Sequence, residues 1–135
     1  MQPLADMLVV DFTLYLPGAY ASRELGRLGA RVVRVEPPGG DPMRPTATAW
    51  DTALRAGSES VVCHLPREAS FARALCERAD VLLEGFRPGV AERLGIGPGD
   101  VPETTVYCSI TGFGDAGRHR LRAGHDVNYL GWAGV

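Results

Sequence analysis

Short apolar runs alternate with longer stretches of helical spacing along the chain. Met7-Leu8-Val9-Val10-Asp11 reads as a buried strand. From Gly18 to Leu28 the spacing turns helical, with Ala21, Leu25 and Leu28 on one face and Arg23, Glu24 and Arg27 off it. Gly29 ends that helix. Arg31-Val32-Val33-Arg34-Val35-Glu36 follows as a second strand, closed by Pro37-Pro38-Gly39-Gly40. A strand, a helix and a strand in that order pair the strands in parallel, and a parallel sheet needs helices over both faces.

Residues 37–57 are rich in Pro, Gly, Thr and Asp and read as loop, with one short turn around Trp50 to Leu54. Ser60-Val61-Val62-Cys63 predicts a third strand. Pro66 suits the first turn of a helix reaching about Arg78, with Phe71, Leu75 and Ala79 inward. Val81-Leu82-Leu83-Glu84 predicts a fourth strand, and Pro88 opens a short helix ending near Leu94-Gly95. Past a linker at Pro98-Gly99-Asp100, Val106-Tyr107-Cys108-Ser109-Ile110 predicts a fifth strand. A glycine-rich loop, Thr111-Gly112-Phe113-Gly114, leads to a last helix starting in the apolar turn from Val127 to Trp132. The expected fold is α/β: an open, Rossmann-like parallel sheet with helices on both faces. Ligands of such sheets sit beyond the carboxyl ends of the strands, so the segments to search follow Asp11, Glu36, Cys63, Glu84 and Ile110.

A chain of 135 residues suffices for one domain with a real core. Its net charge of -2 exerts no global pull on nucleic acid or anionic membrane, so any bound anion must be held locally. All 14 basic residues are arginine, which leaves no lysine for Schiff-base chemistry. Cys63, Cys76 and Cys108 are odd in number and form no CxxC pair, which argues against a metal site or a disulfide framework and for a reducing cytoplasm. The first residues lack a signal-peptide pattern, and no apolar run reaches the roughly 20 residues that span a bilayer.

Three segments carry candidate chemistry. A nicotinamide site would need GxGxxG after the first strand, and the sequence from Phe12 to Tyr20 has one glycine; Glu36, where such folds keep a ribose-binding acid, does not compensate. Glu84-Gly85-Phe86-Arg87-Pro88-Gly89 joins a strand to a helix start, where backbone N–H groups favour an anion and Arg87 adds a fork of donors. The bland reading is a surface arginine beside a first-turn proline. Ala123-Gly124-His125-Asp126-Val127-Asn128-Tyr129 lies beyond the fifth strand, after a loop holding Arg118, His119, Arg120 and Arg122. A neutral imidazole at His125 can act as a general base, with Asp126 capping the helix; alternatively both residues simply cap it. Cys108 reads as a buried small hydrophobe, and His64 and His119 as exposed side chains.

Taken together, Val10-Asp11-Phe12, the run from Leu28 to Pro42, Ala79 to Gly89, Ala91 to Gly95 and Ser109 to Gly114 resemble, in order, the opening of CaiB/BaiF-type proteins, the family III CoA transferases. Gly124-His125-Asp126-Val127-Asn128-Tyr129 resembles the α-methylacyl-CoA racemase version of that family. The resemblance implies that residues 1–135 form an N-terminal CoA-binding Rossmann-like domain, incomplete relative to the full family fold. It implies an acyl-CoA thioester as substrate, no permanently bound cofactor, and a homodimer or a complementary chain as partner. His125 and Asp126 would be catalytic, with His125 as one of two acid/base residues moving a proton at the carbon α to the thioester. Gly124, Asp126 and Tyr129, with Asn128, would line the thioester and pantetheine region. Cys63, His64, Leu65, Gly85, Phe86, Arg87 and Arg93 would hold the nucleotide end. Two rivals stand beside it: a transferase using an aspartyl-CoA intermediate, and a fragment or one chain of a split enzyme. The chain also departs from the family pattern. Arg55-Ala56-Gly57-Ser58-Glu59-Ser60 replaces a more basic stretch, and His64-Leu65-Pro66 replaces Asp-Leu-Lys, so Glu59 is expected to oppose phosphate binding.

Overall fold

The alternation of apolar runs and amphipathic stretches produces five strands and five helices in the computed structural model, which describes residues 2–135. In chain order they are β1 (Leu8–Asp11), α1 (Tyr15–Arg27), β2 (Arg31–Glu36), α2 (Thr48–Arg55), β3 (Glu59–Val62), α3 (Ala69–Cys76), β4 (Val81–Glu84), α4 (Val90–Leu94), β5 (Val106–Ser109) and α5 (Asp126–Ala133). Every strand pair is parallel and the sheet order is β3-β2-β1-β4-β5. The chain builds outward from β1 to β3, then returns to place β4 on the other side of β1. The order therefore reverses between β1 and β4, where open α/β sheets form their ligand crevice.

Period-two alternation divides the strands between two cores. Val9, Val32, Val81 and Leu83 cluster on the face where α1 contributes Ala21 and Leu25. Val10, Phe12, Val35 and Leu82 share the opposite face with Ala72, Cys76 and Ala91 from α3 and α4. Each fully buried Val or Leu is worth about 1.5–3 kcal/mol relative to leaving it in water. The outer strands differ: most of β3 and β5 is exposed, and α5 buries no residue.

The structure shifts several predicted boundaries, each for a local reason. α1 begins at Tyr15 rather than Gly18, with Pro17 in its first turn, where a missing N–H breaks no helical bond. Tyr15 itself is left-handed, with φ +64°, and its N–H is bound by Asp41 Oδ2 at 3.1 Å. Gly18 is obligatory, since an added Cβ would overlap the Thr13 side chain. The predicted turn at Trp50 to Leu54 is an eight-residue helix, α2. In α3 the inward residues are Ala72 and Cys76, while Phe71 is exposed.

Charged side chains finish the carboxyl ends of β1 and β2. Arg34 is 2% exposed and Asp11 and Asp41 are fully or almost fully buried. The Arg34 guanidinium lies 3.8 Å from Asp11 and 3.5 Å from Asp41, and donates to the Thr13 carbonyl at 3.4 Å. Arg55 pairs with Glu36, Asp41 and Asp51, and Arg44 bridges Glu36 at 2.7 Å and Asp51 at 3.1 Å. These contacts tie the loop after β2 and the whole of α2 to the sheet. By parity Asp11, Arg34 and Glu36 belong to the α1 face. Glu59, expected to oppose phosphate, opens β3 at the far, amino-terminal edge, where it binds Arg31 at 2.7 Å. That expectation is overturned: Glu59 points nowhere near the carboxyl edge.

Candidate active site

Two cavities open along the carboxyl edge of the sheet, and one side chain borders both. The first, about 260 Å³, lies over the ends of β1, β2 and β3 and is walled by Phe12, Leu14, Val35, Pro37, Pro38 and Phe86. Cys63, His64 and Leu65 complete it. These walls are almost wholly apolar, and His64 Nδ1 is buried without a hydrogen-bond partner. His64, expected to be exposed, is thus partly buried, and the slot suits a flat, weakly polar group.

The second cavity, about 220 Å³, lies over β4 and β5 and is polar. Arg87 and Arg120 face it together with Glu84, Glu92, Asp115 and Thr111. Among the described residues neither guanidinium makes an ion pair. Glu84 is buried and is held by the Phe86 N–H, which donates to its Oε2 at 2.7 Å. Phe86 belongs to both cavities, at the point where the strand order reverses.

Beyond the second cavity, α5 starts with His125 as its N-cap in extended conformation. Asp126 is the first helical residue, so the expectation that it caps the helix is corrected; it stands in the first turn, where a negative charge favours the dipole. The His125 N–H donates to Asn128 Oδ1 at 2.9 Å, and the Tyr129 hydroxyl donates to the Gly124 carbonyl at 2.7 Å. Phe113 meets Tyr129 and Trp132 edge-on, at centroid distances of 5.2 and 5.8 Å. His119 does the same to Trp132 at 4.7 Å, with the Arg122 guanidinium 5.9 Å from that ring. His125 is exposed, and the start of α5 packs on Gly112 and Phe113, a few residues past the carboxyl end of β5.

The structure thus distributes the predicted site residues over three places. Cys63, His64 and Leu65 join Phe86 around the apolar cavity, and Arg87 joins Phe86 around the polar one. Gly124, His125, Asp126, Asn128 and Tyr129 form the α5 start, outside the linings of both cavities, and Asn128 and Tyr129 are engaged in hydrogen bonds within it. Gly85 and Arg93 also lie outside both linings. The expected helix-terminus anion site after β4 is corrected as well, because α4 is a single turn of five residues and has little dipole to offer. Burial and neighbouring Glu68 raise the Cys63 thiol, and burial pushes Cys76 up to about 12, which suits neither for nucleophilic work; Cys108, expected to be buried, is exposed because it lies on the outer strand β5. Among the described residues no group of three or more His, Cys, Asp or Glu could hold a metal ion, and no helix is long and apolar enough to cross a membrane.

Arg120 escaped the sequence reading as a site residue, since only the folded loop brings it beside Arg87. The buried ionic cluster escaped it too, although charges at Arg34 and Glu36 within a strand covered on both faces required buried partners.

With this geometry, the chain matches the CoA-transferase family III description over residues 4–135, and it belongs to that family. It is 40% identical to human alpha-methylacyl-CoA racemase over 138 residues, covering 98% of this chain and 34% of that protein. It is 32% identical to mouse succinyl-CoA:glutarate CoA-transferase over 140 residues, covering 94% of this chain and 32% of that one. Among solved structures, a CAIB/BAIF family protein from Brucella suis superposes with a TM-score of 0.92 at 31% identity, covering 98% of this chain and 39% of the other. The orthorhombic form of Rv3272 from Mycobacterium tuberculosis superposes equally well, at 0.92 and 36% identity, covering 99% and 39%. The chain spans roughly a third of the length of these curated relatives.

Proposed function

We propose that residues 1–135 form the CoA-binding domain of a racemase-like acyl-CoA enzyme in which His125 moves the proton at the α-carbon of a 2-methylacyl-CoA thioester. What supports this reading is an exposed imidazole at the N-cap of α5, a helix start that packs on Gly112 and Phe113 just past the carboxyl end of β5. The base of the nucleotide stacks in the apolar slot beside His64 and Leu65, and its phosphates meet Arg87 and Arg120 in the polar cavity. His125 takes the α-proton, the C–H electron pair moves toward the thioester oxygen as an enolate, and a second acid returns a proton to the opposite face. That acid comes from outside these residues, on a further segment, a complementary chain or a second copy. Asp126 supports the turn that presents His125. A reducing, cytoplasmic setting fits the three unpaired thiols.

The test is α-deuteration of 2-methylacyl-CoA in deuterated water, followed by mass spectrometry. His125→Ala is expected to slow it at least about 100-fold; deuteration at the parental rate would remove His125 from the chemistry. Several relatives bear transferase names, and this favours one alternative: passage of CoA between carboxylic acids. Under that alternative, CoA exchange between succinyl-CoA and a free acid survives His125→Ala.

A further inference from the structure

We propose that Asn128 and Tyr129 are positioning residues that aim the His125 imidazole by holding one peptide unit at both of its polar atoms; this rests on the reading of His125 as the base. The peptide between Gly124 and His125 has one acceptor and one donor. Its carbonyl accepts the Tyr129 hydroxyl at 2.7 Å. Its N–H donates to Asn128 Oδ1 at 2.9 Å. Both partners come from the first turn of α5, which begins directly after His125. The backbone that launches the imidazole is therefore locked to the helix it precedes.

The packing around this peptide allows little slack. A Cβ on Gly124 would lie 2.8 Å from Tyr129 Cε1 and 3.1 Å from Phe113 Cε2. A Cβ on Gly112 would overlap the Tyr129 ring outright. Two glycines from different parts of the loop thus make room for one tyrosine, and Phe113 braces that ring edge-on. No residue of α5 is buried, so the hydrophobic core does not fix His125 in place. A general base displaced by about 1 Å loses on the order of 100-fold in rate, so the two hydrogen bonds and the two glycines carry that burden. Tyr129 and Asn128 then act through His125, in contrast to the contact with the thioester region expected from the sequence.

The experiment combines kinetics with amide exchange on Tyr129→Phe and Asn128→Ala in the intact protein. Each substitution is expected to lower kcat for α-deuteration about tenfold or more while KM stays within about twofold. Neither is expected to slow the residual rate of His125→Ala further. A rise in KM alone, or additional loss in the His125→Ala background, would mean direct substrate contact and would overturn the proposal. In parallel, the His125 amide of Asn128→Ala is expected to exchange with solvent roughly fivefold faster, the net worth of one hydrogen bond. Unchanged exchange there overturns the clamp whatever the kinetics show. Absence of α-deuteration in the parental protein, with faster amide exchange in the variant, sinks the catalytic reading and leaves the clamp standing.

Discussion

The two long connections at the ligand edge are anchored by opposite means. The loop after β2 is bound through buried charges: Arg34, Asp11 and Asp41 are removed from water, Arg55 ties α2 to Glu36 and Asp41, and Arg44 joins Glu36 to Asp51. The loop after β5 is bound through the half-buried rings of Phe113 and Tyr129 beside the exposed Trp132, two hydrogen bonds and glycines that leave no room for a side chain. Buried ions hold one arrangement rigidly, because losing a single partner strands the others in a medium that cannot solvate them. Surface contacts hold a local geometry while contributing little to global stability. One half of the edge is scaffold, and the other can be tuned without unfolding it.

The largest test of that contrast is Arg34→Met. It leaves Asp11 and Asp41 without their shared cation and is expected to lower unfolding stability by about 3–5 kcal/mol, measured by urea denaturation. A loss below about 1 kcal/mol would place this cluster on a par with the surface and erase the contrast. A second test uses the thiols. Cys63 and Cys76 are buried and Cys108 is exposed, so a thiol reagent at neutral pH should modify one cysteine in the native protein and three after unfolding. Burial pushes Cys76 up to about 12 from its ordinary 9.0. Between those values the folded chain keeps a proton that the unfolded chain has lost. Its contribution is therefore intact below about pH 9 and declines as pH rises toward 12. Cys76→Ala should flatten that slope in denaturation series; an unaltered slope would mean that other groups set it. The smallest effect on stability belongs to Gly112→Ala. Its new methyl strikes Tyr129, yet the unfolding free energy should fall by less than about 1 kcal/mol, with α-deuteration falling. A cooperative collapse would show that the β5 side is part of the core after all.

Much of this was readable from the order of residues. β2 and β4 match the predicted runs residue for residue, because a parallel strand covered on both faces must be continuously apolar or internally paired. Of the inward face expected for α3, Leu75 and Ala79 do pack on the core and Phe71 does not. The stripe that meets the core directly is Ala72-Cys76, whose small side chains allow close approach and whose modest apolarity hides it beside the larger Phe71. The full length of α2 escapes a local reading because its order comes from Arg44 and Arg55 meeting Glu36, Asp41 and Asp51, and no local pattern reveals the more distant of these partners. At the site, Arg87 and the start of α5 were legible as single segments. The role of Asn128 and Tyr129 was not, since donor and acceptor acquire meaning only once the turn has closed.

Phe86 has one more consequence. It lines both the oily compartment and the charged one. Trimming it to a small residue therefore alters both at once, so a single substitution is expected to loosen the hold on an apolar guest and on a charged one together.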